Sequence, residues 1–271
     1  MNRLFNYPLL SSAHGDEIDR LMIAMHGFIG LFFLGWFLFF GYCLIRFRAG
    51  HRQRGRYQGL KGRWVYYLAG AVLVLELFFD LGLSRPYGDT TQYRDDTVNA
   101  QATAPLEVRV VAQQFAWNVH YPGPDGVFGA TRPELVREES NPMGLDAGDL
   151  SAQDDLTTLN HLVLPVDRPV RIYLSSKDVV HSFSLPEFRV KQDIIPGIET
   201  ELLFTPTMTT ATFQERMGDP TRRFEIVCAQ LCGLGHYRMR GFVTVLEAEA
   251  FADWLEAQTP HFSEEYDPFW D

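Results

Sequence analysis

Cysteine is scarce in this chain, with three among 271 residues, and none lies in a Cys-x-x-Cys-His run. Covalent attachment of a c-type heme is therefore excluded. Acids are missing from residues 46–63, which carry Arg46, Arg48, Arg52, Arg54, Arg56, Lys61 and Arg63. Formal charge of either sign is missing from Leu21 to Ile45, about 25 residues, long enough to cross a hydrocarbon layer of about 30 Å. That run is too long, and its leader too acidic, for a cleaved secretory signal. His26 and Cys43 within it have no candidate metal partner nearby in sequence.

What charge there is divides the chain. Residues 1–83 carry nine Lys+Arg and five Asp+Glu, residues 84–271 fifteen and twenty-nine. A basic membrane anchor followed by an acidic globule is the simplest reading. Residues 1–20 form a polar leader, and residues 21–83 a transmembrane hairpin whose second span runs from Trp64 to Leu83. Short cationic loops stay in the cytoplasm, so both termini are expected outside. Between two spans, the basic loop is not a nucleic-acid site. Glu76 and Asp80, four apart, share one face of the second span and are expected to touch a membrane partner or serve a proton path.

After a linker, residues 84–105, the pattern changes to short β-rich runs. Strands are expected at Leu106–Ala112, Phe115–Tyr121, His161–Pro165, Val170–Ser175, Glu199–Thr205, Arg223–Cys228 and Phe242–Leu246. Separated by Gly, Pro and Asp, they predict an antiparallel sandwich or barrel over residues 106–258. Glu247–Gln258 reads as a short amphipathic helix, and residues 259–271 as a tail. Residues 122–160 form a long loop rich in acids, either a solvated face or a steering patch for a basic partner.

The chemistry is concentrated in Cys228-Ala-Gln-Leu-Cys232-Gly-Leu-Gly-His236-Tyr-Arg-Met239. Thiolate, imidazole and thioether are soft ligands that suit copper and, less well, zinc; the Met favours copper. A blue mononuclear site uses one Cys, so the second would be surplus. Two thiolates can bridge two copper ions, and each ion then needs a terminal nitrogen. His236 supplies one, and His181 is the candidate for the other. With Met239 and the backbone carbonyl of Gln230, the set closes. A disulfide or zinc pair, or the paired cysteines of a membrane-tethered copper chaperone, are the other readings of two such cysteines.

These residues resemble subunit II of the heme-copper oxidases, typified by cytochrome c oxidase. The family's binuclear copper centre, CuA, is built from a His in a His-Ser-Phe/Trp segment and a Cys-x-x-x-Cys-x-x-x-His-x-x-Met loop. Both are present in order, at His181-Ser-Phe and from Cys228 to Met239. The resemblance covers most of the chain. It implies a two-helix transmembrane hairpin followed by an all-β cupredoxin-like Greek-key barrel, in the bacterial inner membrane, with the copper domain on the periplasmic side. It further implies that CuA takes electrons from cytochrome c or a similar one-electron donor. They pass to hemes in the partner subunit I, for reduction of oxygen to water coupled to proton pumping. A nitric oxide reductase of the same superfamily is the alternative acceptor chemistry.

The family's segment resembling Gln114–Tyr121 usually exposes a Trp directly after the Gln as the electron-accepting aromatic. Phe115 stands there instead, with Trp117 aligned to a packed Trp and Tyr121 in reserve. Asp178, three before His181, is a candidate for ordering that loop or for facing the donor, and Glu138 and Glu139 are candidate donor-docking acids. Gln230 occupies a position where most members have Glu, whose carboxylate reaches a magnesium ion shared with subunit I. Loss of that charge predicts a full CuA centre with weak or missing magnesium.

Overall fold

The computed structural model describes residues 7–50, 59, 62–78, 81 and 104–263. The chain divides into two compact units, Met1–Gly15 with Arg94–Asp271, and Asp16–Tyr93.

In the helical unit, α1 spans Gly15–Arg46 and α2 spans Arg63–Phe78. Asp16 and Glu17 lie in the first turn of α1 and Arg46 in its last, complementing the helix dipole. At 1.5 Å per residue α1 is about 48 Å long, and it alone among the described helices is long and apolar enough to cross a membrane. It is apolar all round, with Phe32, Phe33, Trp36 and Phe40 at least half exposed. Such a surface has to be covered by lipid or by protein. His26 turns Nδ1 toward the Met22 carbonyl at 2.7 Å, and Cys43 is a free, half-buried thiol. Glu76 is exposed on α2. Asp80 and nearly all of the expected linker lie outside the described residues.

The other unit is a sandwich of two five-stranded sheets. One has the order β3-β2-β1-β5-β8 and the other β4-β10-β9-β6-β7. The strands of the first are β1 (Leu106–Gln113), β2 (Ala116–Tyr121), β3 (Leu156–Leu159), β5 (Val170–Ser176) and β8 (Thr200–Phe204). Those of the second are β4 (His161–Pro165), β6 (His181–Leu185), β7 (Val190–Ile194), β9 (Phe224–Cys228) and β10 (Arg240–Leu246). Alternate residues of β1 turn inward, with Val108, Val110 and Ala112 fully buried, and face Phe183, Phe224 and Val245 in one core.

The expectation of antiparallel sheets needs correcting, because both are mixed: β1 runs parallel to β5, and β10 parallel to β4. Hydrophobic alternation marks which face of a strand is buried and says nothing of its neighbour's direction. Three strands escape the sequence reading. β3 ends the acidic loop, while β6 and β7 carry His181, Ser182, Lys191, Gln192 and Asp193, a polar content that hides their period.

Two segments cover the sandwich. The leader lies against it: Ser12 bridges Pro206, Ser11 N–H donates to the Glu187 carbonyl at 2.8 Å, and Ala13 N–H donates to Thr205 at 3.1 Å. The acidic loop packs Met143, Leu145 and Ala152 with Val111 and Phe262 as a small second core. That cover explains why both faces of β2 are buried, including Asn118 and His120.

Two further helices flank the sheets, α3 (Thr210–Met217) and α4 (Ala248–Ala257). Thr209 caps α3 by accepting from Thr212 N–H at 3.2 Å, and Gly218 ends it in the left-handed region. α4 turns Phe251 into the core, and Trp254 meets the ring of Tyr121.

Candidate metal centre

Strands β6 and β9 are neighbours in register, with Phe183 opposite Cys228. That pairing brings His181, at the start of β6, beside Cys228, at the end of β9, although 47 residues separate them. After Cys228 the chain turns back through Gly233 and Gly235 to reach β10. Gly233 has φ +132°, and a Cβ there would meet the Gln114 side chain. A Cβ at Gly235 would collide with the ring of Phe115. The loop needs glycine at both positions to lie this close to the β1–β2 turn.

The donor atoms converge in two sets. Cys228 Sγ lies 3.9 Å from His181 Nδ1 and 3.1 Å from the Gln230 carbonyl oxygen. Cys232 Sγ lies 3.6 Å from His236 Nδ1 and 3.7 Å from Met239 Sδ. The two sulfurs are 3.8 Å apart and form no disulfide. His181, Cys228 and Cys232 are buried and place their ligand atoms within 4.8 Å of one another. The thiol, imidazole and thioether donors are soft or borderline, which suits copper, and the Gln230 carbonyl oxygen is the one hard donor among them.

Protonation follows from these contacts. Burial raises the Cys228 thiol, but hydrogen bonds with His181 and the backbone at Ser182 and Gln230 outweigh it and bring it down to about 6. Burial and the neighbouring Cys228 sulfur together push Cys232 up to about 12. One thiolate is therefore available at neutral pH, and a bound cation would have to stabilise the second. Burial lowers His181, yet its bonds to Cys228 and Asp178 leave it above the ordinary value.

Asp178 fixes the imidazole. Its Oδ1 lies 2.8 Å from His181 Nε2, while its carboxylate also accepts from Gln114 N–H at 2.7 Å and Val179 N–H at 2.6 Å. With Nε2 held by Asp178, Nδ1 is the nitrogen turned toward Cys228 and the one that could bind a metal. Sequence reasoning missed Gln114, whose side-chain amide donates to the Cys232 carbonyl at 2.5 Å from 118 residues away. Its adjacency to Phe115 was the one clue.

The remaining candidates are scattered. Trp117 is fully buried and stacks edge-on against His181, with ring centroids 6.3 Å apart. Tyr121 is fully buried at the far end of β2, its hydroxyl donating to the Val163 carbonyl. Neither presents a ring edge to solvent. Phe115 is half-buried beneath the copper loop. Glu138 accepts from the Gln113 side chain at 2.6 Å and lies 3.8 Å from the Lys177 ammonium. Glu139 is exposed.

A two-sheet sandwich with a Cys-x-x-x-Cys-x-x-x-His-x-x-Met loop at one end of it is a cupredoxin-like domain whose ligand cluster is consistent with a copper site. Residues 106–246 match the family model described as the periplasmic domain of cytochrome c oxidase subunit II. The chain is 34% identical over 246 residues to alternative cytochrome c oxidase subunit 2 of Bradyrhizobium diazoefficiens, covering 90% of this chain and 79% of that one. It is 29% identical over 234 residues to heme-copper oxidase subunit 2 of Aeropyrum pernix, covering 83% of each. A crystal structure of the periplasmic domain of cytochrome oxidase subunit II from Bradyrhizobium japonicum is 28% identical. It covers 59% of this chain and 98% of that one, with a TM-score of 0.40. The chain belongs to the cytochrome c oxidase subunit II family, and it is a subunit of an oxidase complex.

Proposed function

We propose that this subunit carries a binuclear CuA centre held by His181, Cys228, Gln230, Cys232, His236 and Met239. On this reading it accepts electrons from an external one-electron donor and passes them to hemes in the partner subunit. The observation that carries it is the pairing of the donors: two sulfurs 3.8 Å apart, each with its own imidazole nitrogen at 3.9 or 3.6 Å. A single tetrahedral ion would leave part of this set unused. When bound, the copper pair would supply one-electron chemistry with the charge shared across two thiolates. The chain's own residues keep its geometry constant: β6 and β9 hold His181 and Cys228, Asp178 locks one imidazole, and Gln114 ties the loop at Cys232. A site that need not rearrange on electron transfer has a low barrier.

Topology follows from connectivity. Residues of the leader are bonded to the β-unit, and α1 begins directly after them. With α1 as one span, a second crossing would return the chain to the same side at β1. We therefore keep the hairpin, with the basic loop inside the cell and the copper domain outside. The acceptor, oxygen or nitric oxide, is decided in the heme-bearing partner.

Metal analysis and electron paramagnetic resonance of the purified complex test this. Two copper ions sharing one unpaired electron, with a seven-line signal, are expected. Cys228→Ser and Cys232→Ser should each abolish that signal, His181→Ala should leave one copper poorly held, and Met239→Leu should shift the potential more than the occupancy. An unchanged signal in both serine variants would overturn the assignment. The same analysis should find magnesium weak or missing, since Gln230 offers a neutral amide where a hard cation favours a carboxylate.

A further inference from the structure

The β-unit has two lysines in unlike surroundings: Lys191 is exposed, while the Lys177 side chain is only 16% exposed. A lysine is seldom covered without a partner. Lys177 stands between β5 and Asp178, and it is held by its backbone and by its tip. Its N–H donates to the Ala112 carbonyl at 3.0 Å, extending the parallel pairing of β1 and β5 by one residue. Its ammonium donates to Gln113 Oε1 and lies 3.8 Å from Glu138 Oε2, in the acidic loop. Gln113 Nε2 donates to the same Glu138 oxygen at 2.6 Å, and Asn118 Nδ2 donates to Gln113 Oε1 at 2.9 Å. Burial pulls the ammonium below its ordinary value, and the charges of Glu138 and Asp178 pull it back.

The acidic loop and the sheet are not packed together at this point. A cleft of about 490 Å³ lies between them, lined by Val111, Ser175 and Lys177 of the sheet side and by Arg132, Val136 and Glu138 of the loop. Side-chain bonds, rather than close packing, join the two here. The residue after Lys177 is Asp178, which holds His181 Nε2 at 2.8 Å and accepts from Gln114 N–H, next to Gln113, at 2.7 Å. Three side chains thus clasp the acidic loop to the segment that carries the carboxylate on His181.

We propose that Lys177, Gln113 and Glu138 are positioning residues for the copper centre: they fix Asp178 on His181, and through Glu138 the acidic loop sets the reduction potential of the metal. The proposal rests on the copper reading above, but on His181 as a ligand rather than on the number of ions. With Asp178 fixed, its carboxylate keeps the imidazole a strong donor, which favours the oxidised metal. With the clasp open, Asp178, 30% exposed, is free to turn to water. The imidazole then donates less, and the potential rises. Loss of the Lys177 cation by itself would lower the potential, since a nearby positive charge disfavours the more highly charged oxidised metal. A variant that opens the clasp without changing charge separates position from field.

Redox titration of the copper absorbance in the intact oxidase complex, loaded with excess copper, is the test. Gln113→Ala removes the group shared by Lys177 and Glu138 and leaves the formal charge unchanged. It should shift the equilibrium toward reduced copper about threefold or more, which is about 28 mV for one electron. Glu138→Gln, on a side chain 61% exposed, should shift it the same way, and it carries the test if Gln113→Ala does not fold. Glu139→Gln removes the same charge from the exposed neighbour and should leave the potential unchanged. In an Asp178→Ala background, Gln113→Ala should add no further shift, because the route it acts through is already gone. An unchanged potential in Gln113→Ala and Glu138→Gln, with only thermal stability lowered, makes the network merely structural and overturns the proposal. An equal shift in Glu139→Gln overturns it too, as does a full added shift in the Asp178→Ala background. Absence of a binuclear signal in the unsubstituted complex would instead defeat the CuA reading, and the same shifts in the potential of a single copper would still uphold the clasp.

Discussion

His181 can offer only one ring nitrogen to a metal while the other is held, and Asp178 holds Nε2. The bond does more than orient the ring. It keeps the negative charge of a carboxylate beside the ligand, which makes the imidazole a better donor. Asp178→Asn retains an oxygen that accepts from Nε2–H but loses the charge. Asp178→Ala removes both, along with the anchors to Gln114 and Val179. We expect the Ala variant to lose about 10- to 100-fold in copper affinity and the Asn variant less. Competition with a copper chelator measures this, and equal affinity in wild type and Ala variant would show that β6 alone orients the ring.

At the scale of elements, the leader and the acidic loop both act as covers. Ser12 is buried and donates through its hydroxyl to the Phe188 carbonyl at 2.6 Å. Ser12→Ala leaves that carbonyl unpaired and should cost about 1–2 kcal/mol, read as a lower midpoint in urea. An unchanged midpoint would mean that the leader adds nothing to the stability of the β-unit. The acidic loop is pinned through Asp155, which meets His120 Nε2 at 2.7 Å, while His261 N–H donates to the Asp155 carbonyl at 2.9 Å. Burial depresses His120, His161 and His261, the last to about 4 through burial and the nearby His120. In the unfolded chain such groups titrate near pH 6.5. Below that pH the unfolded state binds protons that the folded state does not, so stability falls as pH drops from about 6.5 toward about 4. The melting temperature of the copper-loaded chain should decline across this window, and more gently in His261→Gln. A flat profile would refute the assignment of these histidines as buried and neutral.

For the whole molecule, the question is which side of the membrane each part occupies. Single cysteines placed in residues 122–160 should react with an impermeant thiol reagent added from outside, and those in residues 50–60 should be spared. The reverse pattern would put the copper in the cytoplasm. The outward side chains of α1 need a cover of lipid or protein, and Glu76 on α2 is expensive to leave in lipid. We therefore expect Glu76→Leu to weaken association with the heme-bearing partner rather than copper loading, as judged by co-purification.

Local chemistry was legible in the sequence because it is set by spacing along the chain. Four proposed ligand side chains and the Gln230 carbonyl lie within twelve residues, two glycines close the turn, and an uncharged stretch of about 25 residues declares its solvent. Seven strands could be placed to within a residue or two at most of their ends because their hydrophobic alternation is strong. Pairing across the sandwich decided the rest. It made β1 and β5, and β10 and β4, parallel neighbours, and turned His181, Ser182 and Phe183 into a strand beside Cys228. It also folded the acidic loop over β2, so that Asp155 became a buried partner of His120 rather than a surface charge. Phe115, Trp117 and Tyr121 look alike as aromatics within seven residues of sequence. Only the packing of the sheets puts Trp117 and Tyr121 in the core, Phe115 beneath Gly235, and Tyr237 in water. Sequence spacing fixes what a short loop can bind. Exposure is the result of contacts between distant segments, and no local pattern encodes it.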